Sequence, residues 1–314
     1  MAELSRKLAL YASYQTGEDL PGYIRFALKH LAETDFKVVL LTNERKLSQA
    51  TYEFIADNNI ELFLTQNRGF DFGMWHRYLK MQADCTPTTP GSGMQRIERL
   101  LLLNDSIVYY KNIFPNALAR AEESKADAIS LTSSTEHSPH LQSFFLYLKP
   151  SALGAFYMHL FETPEQNEFY DVVNQLEIGL SEAFSESGVY MDSLYQTERQ
   201  ALFAYKELIA QGAGFVKRKL LQHRFNTIEK KHFVRFKAYD ALVADYTSLI
   251  QDAGVDADFK MEWLPRPSDV ELSKRVLSTV KLNAYRYVGW PLLRTAIKAK
   301  YKLLGKPLEG DEYK

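Results

Sequence analysis

RLLLLNDS, Arg99 to Ser106, is the stretch that decides the fold. Its four consecutive leucines leave no alternation between a wet face and a dry one. Such a run reads as a central parallel strand covered by helices on both sides of its sheet. The polar triplet Asn104-Asp105-Ser106 follows at once, where the strand leaves the core. Open parallel sheets bind ligands beyond the carboxyl ends of their strands. Asp105 therefore stands where a carboxylate would reach a ligand or a divalent metal such as magnesium or manganese. Taken alone, the same residue also fits a plain turn or helix cap.

Working toward the N-terminus, strands are expected at Leu8–Tyr14, Lys37–Thr42 and Ile60–Thr65, with helices at Leu20–Leu31, Ser48–Asp57 and Phe72–Met81. Ala83–Gly93, rich in proline, glycine and threonine, reads as a surface loop. Toward the C-terminus the pattern predicts a helix from about Asn112 to Glu123, strands at Ala128–Leu131 and Gln142–Leu148, and mostly helix to about Phe225. This βαβαβ rhythm predicts an α/β fold with a mostly parallel sheet. Pro265, Arg266, Pro267 and Ser268 mark a boundary, giving a domain over residues 1–265 and an extension over 266–314.

Composition narrows the chemistry. The single cysteine, Cys85, excludes an internal disulfide framework and a cysteine-based zinc site, and it fits a reducing compartment. The first residues hold no long apolar run, so neither a signal peptide nor a membrane span is expected there. Lys274 to Lys306 carries nine basic residues and no acidic ones, while the whole chain carries −1, so the remainder carries about −10. An acidic body argues against nucleic acid as its partner. No GxSxG elbow, P-loop or HExxH occurs.

Three further segments could carry chemistry. Asn67-Arg68-Gly69-Phe70-Asp71-Phe72-Gly73 follows a strand and opens a helix. Its glycines permit close backbone approach, the helix start attracts phosphate, and Arg68 could grip a diphosphate bidentately. The segment also fits a simple loop with Asp71 as the helix cap. His140 and Gln142 precede an apolar strand and could face a cleft, or could be structural. Glu177 opens the amphipathic stretch EIGLS, where a carboxylate is either a cap or a general base.

In order along the chain stand YASYQTGEDLPGYIRFALKHL, NRGFDFG, RLLLLNDSIVY, HLQSFFLYLKPSAL, QLEIGLSEAFSESG and GAGFVKRKLL. Together, over roughly residues 8 to 225, they resemble the rhamnan synthesis protein F family of bacterial cell-surface polysaccharide and O-antigen assembly. That family resembles inverting glycosyltransferases of the A-type fold. The resemblance implies a single Rossmann-like glycosyltransferase A-type domain with a helical C-terminal extension. Residue by residue it sets Asn67 and Gly69 near a nucleotide-sugar donor, Asp105 at the donor diphosphate with a metal (Mn or Mg), and Glu177 as the base; Arg68, Asp71, Asn104, His140 and Gln142 join them as candidate donor contacts from the reading of their own segments. One departure stands out: the usual Asp-x-Asp metal motif is here Asn104-Asp105-Ser106, with one carboxylate fewer.

The activity implied is transfer of a sugar, such as rhamnose or another deoxysugar, to a glycan or lipid-linked acceptor. The incomplete acidic motif also leaves open a non-catalytic binding or scaffold subunit, and strand-end acids of this kind serve sugar-phosphate transfer too. Residues 270–314 mix Tyr285, Tyr287 and Trp290 with the cations, which suits the surface of an anionic bilayer or packing on protein. The expected place is the cytoplasm, peripheral at the inner face of the plasma membrane.

Overall fold

The computed structural model describes residues 6–43, 45–66, 68–84, 97–135, 138–197, 201–202, 204–221 and 246–265. The chain falls into two compact units, Met1–Lys217 with Leu249–Leu264, and Arg218–Ser248 with Pro265–Lys314. The second is described only over residues 218–221, 246–248 and 265. The basic stretch 266–314, and the membrane contact expected of it, lie outside the described residues, as does Cys85.

The first unit opens with β1 (Lys7–Ser13), α1 (Gly22–Ala32), β2 (Lys37–Asn43), α2 (Gln49–Asp57), β3 (Glu61–Thr65) and α3 (Phe70–Asp84). There follow β4 (Arg99–Asn104), β5 (Ile107–Tyr109), α4 (Phe114–Glu123), β6 (Ala128–Ser130), β7 (Ser133–Ser134), β8 (His140–Leu141), β9 (Phe145–Leu148) and α5 (Pro150–Glu162). A helical turn α6 (Phe169–Asp171) runs into a π-helical segment, Val172–Ile178, and then α7 (Gly179–Glu186). β10 (Met191–Ser193), α8 (Tyr205–Ala210) and β11 (Phe215–Lys217) complete the elements used below.

Seven strands form one sheet in the order β10-β6-β9-β4-β1-β2-β3. β4, β1, β2 and β3 are mutually parallel, as are β6 and β10, and β9 alone runs antiparallel to its neighbours. The protein is thus α/β with a mostly parallel central sheet, as the alternation predicts. β4 sits mid-sheet, in register with β1 from Lys7↔Arg99 to Ala12↔Asn104, and its four leucines are fully buried. Leu100 and Leu102 join one core cluster with Phe72, Trp75 and Leu79 of α3 and Phe156 of α5. Leu101 and Leu103 point to the opposite face by strand alternation, the side on which α1 packs. Burial on both faces accounts for the unbroken apolar run.

Several expectations need correction. β4 is parallel only to β1, because β9 pairs its other edge antiparallel. An apolar strand covered on both sides reads the same in either direction, so the pattern held no sign of this. The strand expected at Gln142–Leu148 shortens to β9, because residues 142–144 form a turn. β10 and β11 interrupt the region read as helical, and at three residues each they are too short to show a period. α3 starts at Phe70 and runs through Ala83 and Asp84 into the stretch read as a loop.

Candidate functional site

The parallel strands end on one edge of the sheet, and their last residues are polar: Ser13, Asn43, Thr65, Asn104, Ser130 and Ser193. Ligands of open α/β sheets bind beyond these ends, and the strand-end side chains, mostly buried, are satisfied by hydrogen bonds to one another and to nearby backbone. Asp105, just past β4, is buried, and its backbone N–H donates to Ala12 O at 3.1 Å. Ser13 Oγ donates to Asp105 Oδ2 at 3.1 Å, and Gln15 Nε2 donates to Ser13 Oγ. Asn43 closes the β2 end: its Oδ1 accepts Gln15 N at 2.7 Å and its Nδ2 donates to Gln15 O at 3.0 Å.

Asp71 joins α3 to this edge. Its Oδ1 accepts the N–H of Phe72 at 3.2 Å at the helix start, and its Oδ2 accepts Asn104 Nδ2. Asn104 Oδ1 in turn accepts Ser106 N at 3.1 Å, which shapes the turn between β4 and β5.

Residues 142–144 form the hub of the site. Gln142 Oε1 accepts Thr132 Oγ1 at 2.7 Å and Ala201 N at 3.3 Å, both buried bonds. Ser143 N donates to Glu177 Oε1 at 2.8 Å, and Phe144 O accepts Asn104 N at 3.4 Å. Glu177, through its carboxylate, and Asn104, through its backbone N–H, therefore hold the neighbouring residues Ser143 and Phe144. Lys217 completes the ring, with Nζ 3.8 Å above the Phe144 ring centroid and 3.5 Å from Ser106 Oγ. His140 is buried on β8, and its Nδ1 lies 2.8 Å from Ser138 O. Bonding that carbonyl requires a proton on Nδ1.

Glu177 belongs to the π-helical segment that precedes α7, rather than opening an α-helix. Such wide turns are frequent at functional positions. His159 of α5 braces this one, with Nε2 2.9 Å from Gln175 O. Burial holds the His159 imidazole below its ordinary pKa, so the ring is a neutral donor.

The 68–73 loop is held from below. Arg77 donates to Thr65 Oγ1 at 2.7 Å, Gln66 O at 2.7 Å and Arg68 O at 2.8 Å, and pairs with Glu165 at 2.6 Å. Burial pulls the Arg77 guanidinium below its ordinary pKa, and the Glu165 charge offsets part of that. Arg68 Nε lies 3.2 Å from the other Glu165 oxygen. Gly69, at φ +69°, donates its N–H to Asn167 Oδ1 at 3.1 Å. Asn67 lies outside the described residues.

Of the residues singled out in the sequence, Asp71, Asn104, Asp105, Gln142 and Glu177 are linked through this hub, and His140 lies two residues before Gln142. Arg68 and Gly69 stand at the helix start beside them, engaged by Glu165 and Asn167. Sequence reasoning missed Ser13, Gln15, Asn43, Ser143, Phe144 and Lys217. Ser13 and Asn43 were within reach, since each ends an apolar strand run on the ligand side.

As a metal site, Asp105 supplies one carboxylate with the Ser13 hydroxyl against it. Hard divalent cations accept such oxygen sets when a substrate phosphate completes them. Among the described residues, the only group of three potential metal-binding His or acidic side chains is elsewhere: His30, Asp256 and Asp258, with ligand atoms within 4.8 Å of one another. Lys29 already pairs with Asp258 there at 2.6 Å.

No protein-family model matches the chain, and no curated protein matches it. Solved structures do. One is a cytidylyltransferase from Leptospira borgpetersenii serovar Hardjo-bovis (strain JB197), with 14% identity, 79% of this chain and 98% of that one covered, and a TM-score of 0.37. Another is the CTP:phosphocholine cytidylyltransferase LicC from Streptococcus pneumoniae, with 10% identity, 64% and 97% covered, and a TM-score of 0.38. A third is the mannosyltransferase PcManGT from Pyrobaculum calidifontis in complex with GDP-Man and Mn2+, with 12% identity, 94% and 84% covered, and a TM-score of 0.36. These likenesses are too distant to assign an activity.

Proposed function

We propose that the protein is an inverting glycosyltransferase that moves a sugar from a nucleoside-diphosphate donor to a glycan or lipid-linked acceptor. The observation that carries the reading is the pairing of Asn104 and Glu177 with Phe144 and Ser143. It sets a strand-end acid, Asp105, and a second carboxylate around one turn. Donor contacts are assigned to Arg68, Gly69, Asp71, Asn104, Asp105, His140 and Gln142, and, on the sequence alone, to Asn67.

In a single displacement the acceptor oxygen bonds to the anomeric carbon as the bond from that carbon to the diphosphate oxygen breaks. Glu177 takes the acceptor proton, and the electron pair leaves on the diphosphate. Stabilising that charge is the larger catalytic task. Mn or Mg, held by Asp105 with the Ser13 hydroxyl beside it, would supply positive charge to the leaving group. Residues 270–314 are read as the contact with an anionic membrane that presents a lipid-linked acceptor. Polysaccharide or O-antigen assembly at the cytoplasmic face, with a deoxysugar such as rhamnose as cargo, is the pathway that the sequence resemblance favours.

Asn104 in place of a second acid favours one alternative, a non-catalytic nucleotide-sugar-binding subunit. A thermal-shift screen of nucleotide sugars, with and without manganese, followed by product analysis of the best donor, tests both readings. Glycosyl transfer without phosphate in the linkage supports the enzyme. Binding without turnover supports the scaffold, and phosphate retained in the product means sugar-phosphate transfer. No shift with any nucleotide sugar overturns the donor site itself.

A further inference from the structure

The diphosphate of such a donor needs positive charge from the chain. Arg68, the cation the sequence offers first, has its guanidinium committed to Glu165 at 3.2 Å. Lys217 stands at the Asn104-Asp105-Ser106 turn itself. It ends β11, which pairs antiparallel with β5 in the register Phe215↔Tyr109, Val216↔Val108 and Lys217↔Ile107. That register sets Lys217 opposite the residue that follows Ser106.

The strand is firmly anchored. Phe215 is fully buried, with ring centroids 5.9 Å from Phe144, 6.0 Å from Tyr195 and 6.4 Å from Tyr109. Gly214 O, just before it, accepts the N–H groups of Tyr110 at 2.9 Å and Lys111 at 3.2 Å. The ammonium is thus delivered by a fixed backbone to the Phe144 ring, at 3.8 Å, and to Ser106 Oγ, at 3.5 Å. The ring face supports a cation while leaving its remaining N–H donors directed elsewhere. A lysine there acts as a movable point charge with three donors, which suits a phosphate whose position shifts as the bond breaks.

We propose that Lys217 binds the donor diphosphate at the Asn104-Asp105-Ser106 turn and neutralises it as it leaves, a role that rests on the glycosyltransferase reading above. The balance of the step is unchanged. The sugar–oxygen bond breaks with its electron pair on the diphosphate, and the Lys217 ammonium stays protonated and pairs with that charge. With one carboxylate fewer in the turn, less negative charge opposes the phosphates, and a lysine covers part of what a tightly held metal would otherwise supply.

The test uses the full chain and isothermal titration with UDP, GDP, dTDP and CDP, each beside its monophosphate. For the tightest diphosphate, Lys217→Gln should raise Kd about tenfold or more, Lys217→Arg should recover most of that, and monophosphate affinity should move by less than about threefold. Unchanged diphosphate affinity in Lys217→Gln overturns the role of Lys217 and leaves the donor site standing. Equal losses for monophosphate and diphosphate also overturn it, because the effect would then not be on the diphosphate. If the wild-type chain binds none of the diphosphates, the glycosyltransferase reading falls and this inference with it.

Discussion

Ser143 and Glu177 are joined by a 2.8 Å hydrogen bond from the backbone N–H of the one to Oε1 of the other. They stand 34 residues apart in the chain. This bond ties the π-helical segment to the turn before β9, and so to the end of β4. It fixes one oxygen of Glu177 while the pair's other partner, the peptide of Phe144, is held by Asn104.

Glu177→Gln keeps an acceptor for Ser143 N–H, whereas Glu177→Ala leaves that donor unpaired. The alanine variant should lose about 1–2 kcal/mol, since a half-buried donor without a partner carries its desolvation cost. In a domain of this size that lowers Tm by about 2–8 °C. The glutamine variant should melt close to wild type. Calorimetry on the two variants checks this, and identical melting would deny the bond a structural role.

Arg77 is the post on which the 68–73 loop rests, and Gly73 leaves room for it. A Cβ on Gly73 would sit 2.2 Å from Arg68 O, the carbonyl that Arg77 also binds. Gly73→Ala should therefore displace that carbonyl and cost about 1–3 kcal/mol. Arg77→Lys, which cannot reach four acceptors at once, should cost a similar amount. Urea midpoints read both, and wild-type midpoints would show that the loop is held by something else.

Leu101 and Leu102 face opposite sides of the sheet, and both are fully buried. Each truncation to alanine should cost about 2–5 kcal/mol, the range for a buried leucine in a packed core. Chemical denaturation of the two single variants tests whether both faces are covered. A loss below about 0.5 kcal/mol at either position would mean that its face is not.

Acid sensitivity should come partly from Glu122. Arg99 Nε donates to it at 2.9 Å and Tyr147 OH at 2.6 Å, and these bonds hold its carboxyl below the ordinary value of 4.5. A carboxyl held low in the fold binds protons more readily once unfolded. Its contribution is therefore present above about pH 4.5 and fades as pH falls through the folded value. Glu122→Gln should flatten the drop in Tm below pH 4.5, and an identical acid slope in both proteins would refute the assignment.

The part of the fold legible in the sequence is the part built from long periodic segments. Leu100 to Leu103 announced a doubly covered strand, and Lys37–Thr42 and Ile60–Thr65 announced its parallel relatives. The direction of β9 was hidden, because Phe145 to Leu148 is apolar on both faces and a strand carries no sign of its direction in such a run. β10 and β11 were hidden by length. At the site, Asp105 stands out in the sequence because a charge two residues past a run of four leucines falls where the strand leaves the core. Lys217 was not, because only the antiparallel register of β11 on β5 brings it from more than a hundred residues away to Ser106. Ser143 and Phe144 act largely through backbone groups, which side-chain identity does not reveal.

The central claim is that Asp105 holds the donor and Glu177 activates the acceptor. Single-turnover glycosyl transfer by wild type, Asp105→Ala and Glu177→Gln, with donor binding followed in the same reaction, tests it most directly. We expect weakened donor binding in Asp105→Ala. In Glu177→Gln we expect donor binding retained and transfer slowed about 10²–10⁴-fold, the usual worth of a general base. Transfer at near wild-type rates by both variants would contradict the account.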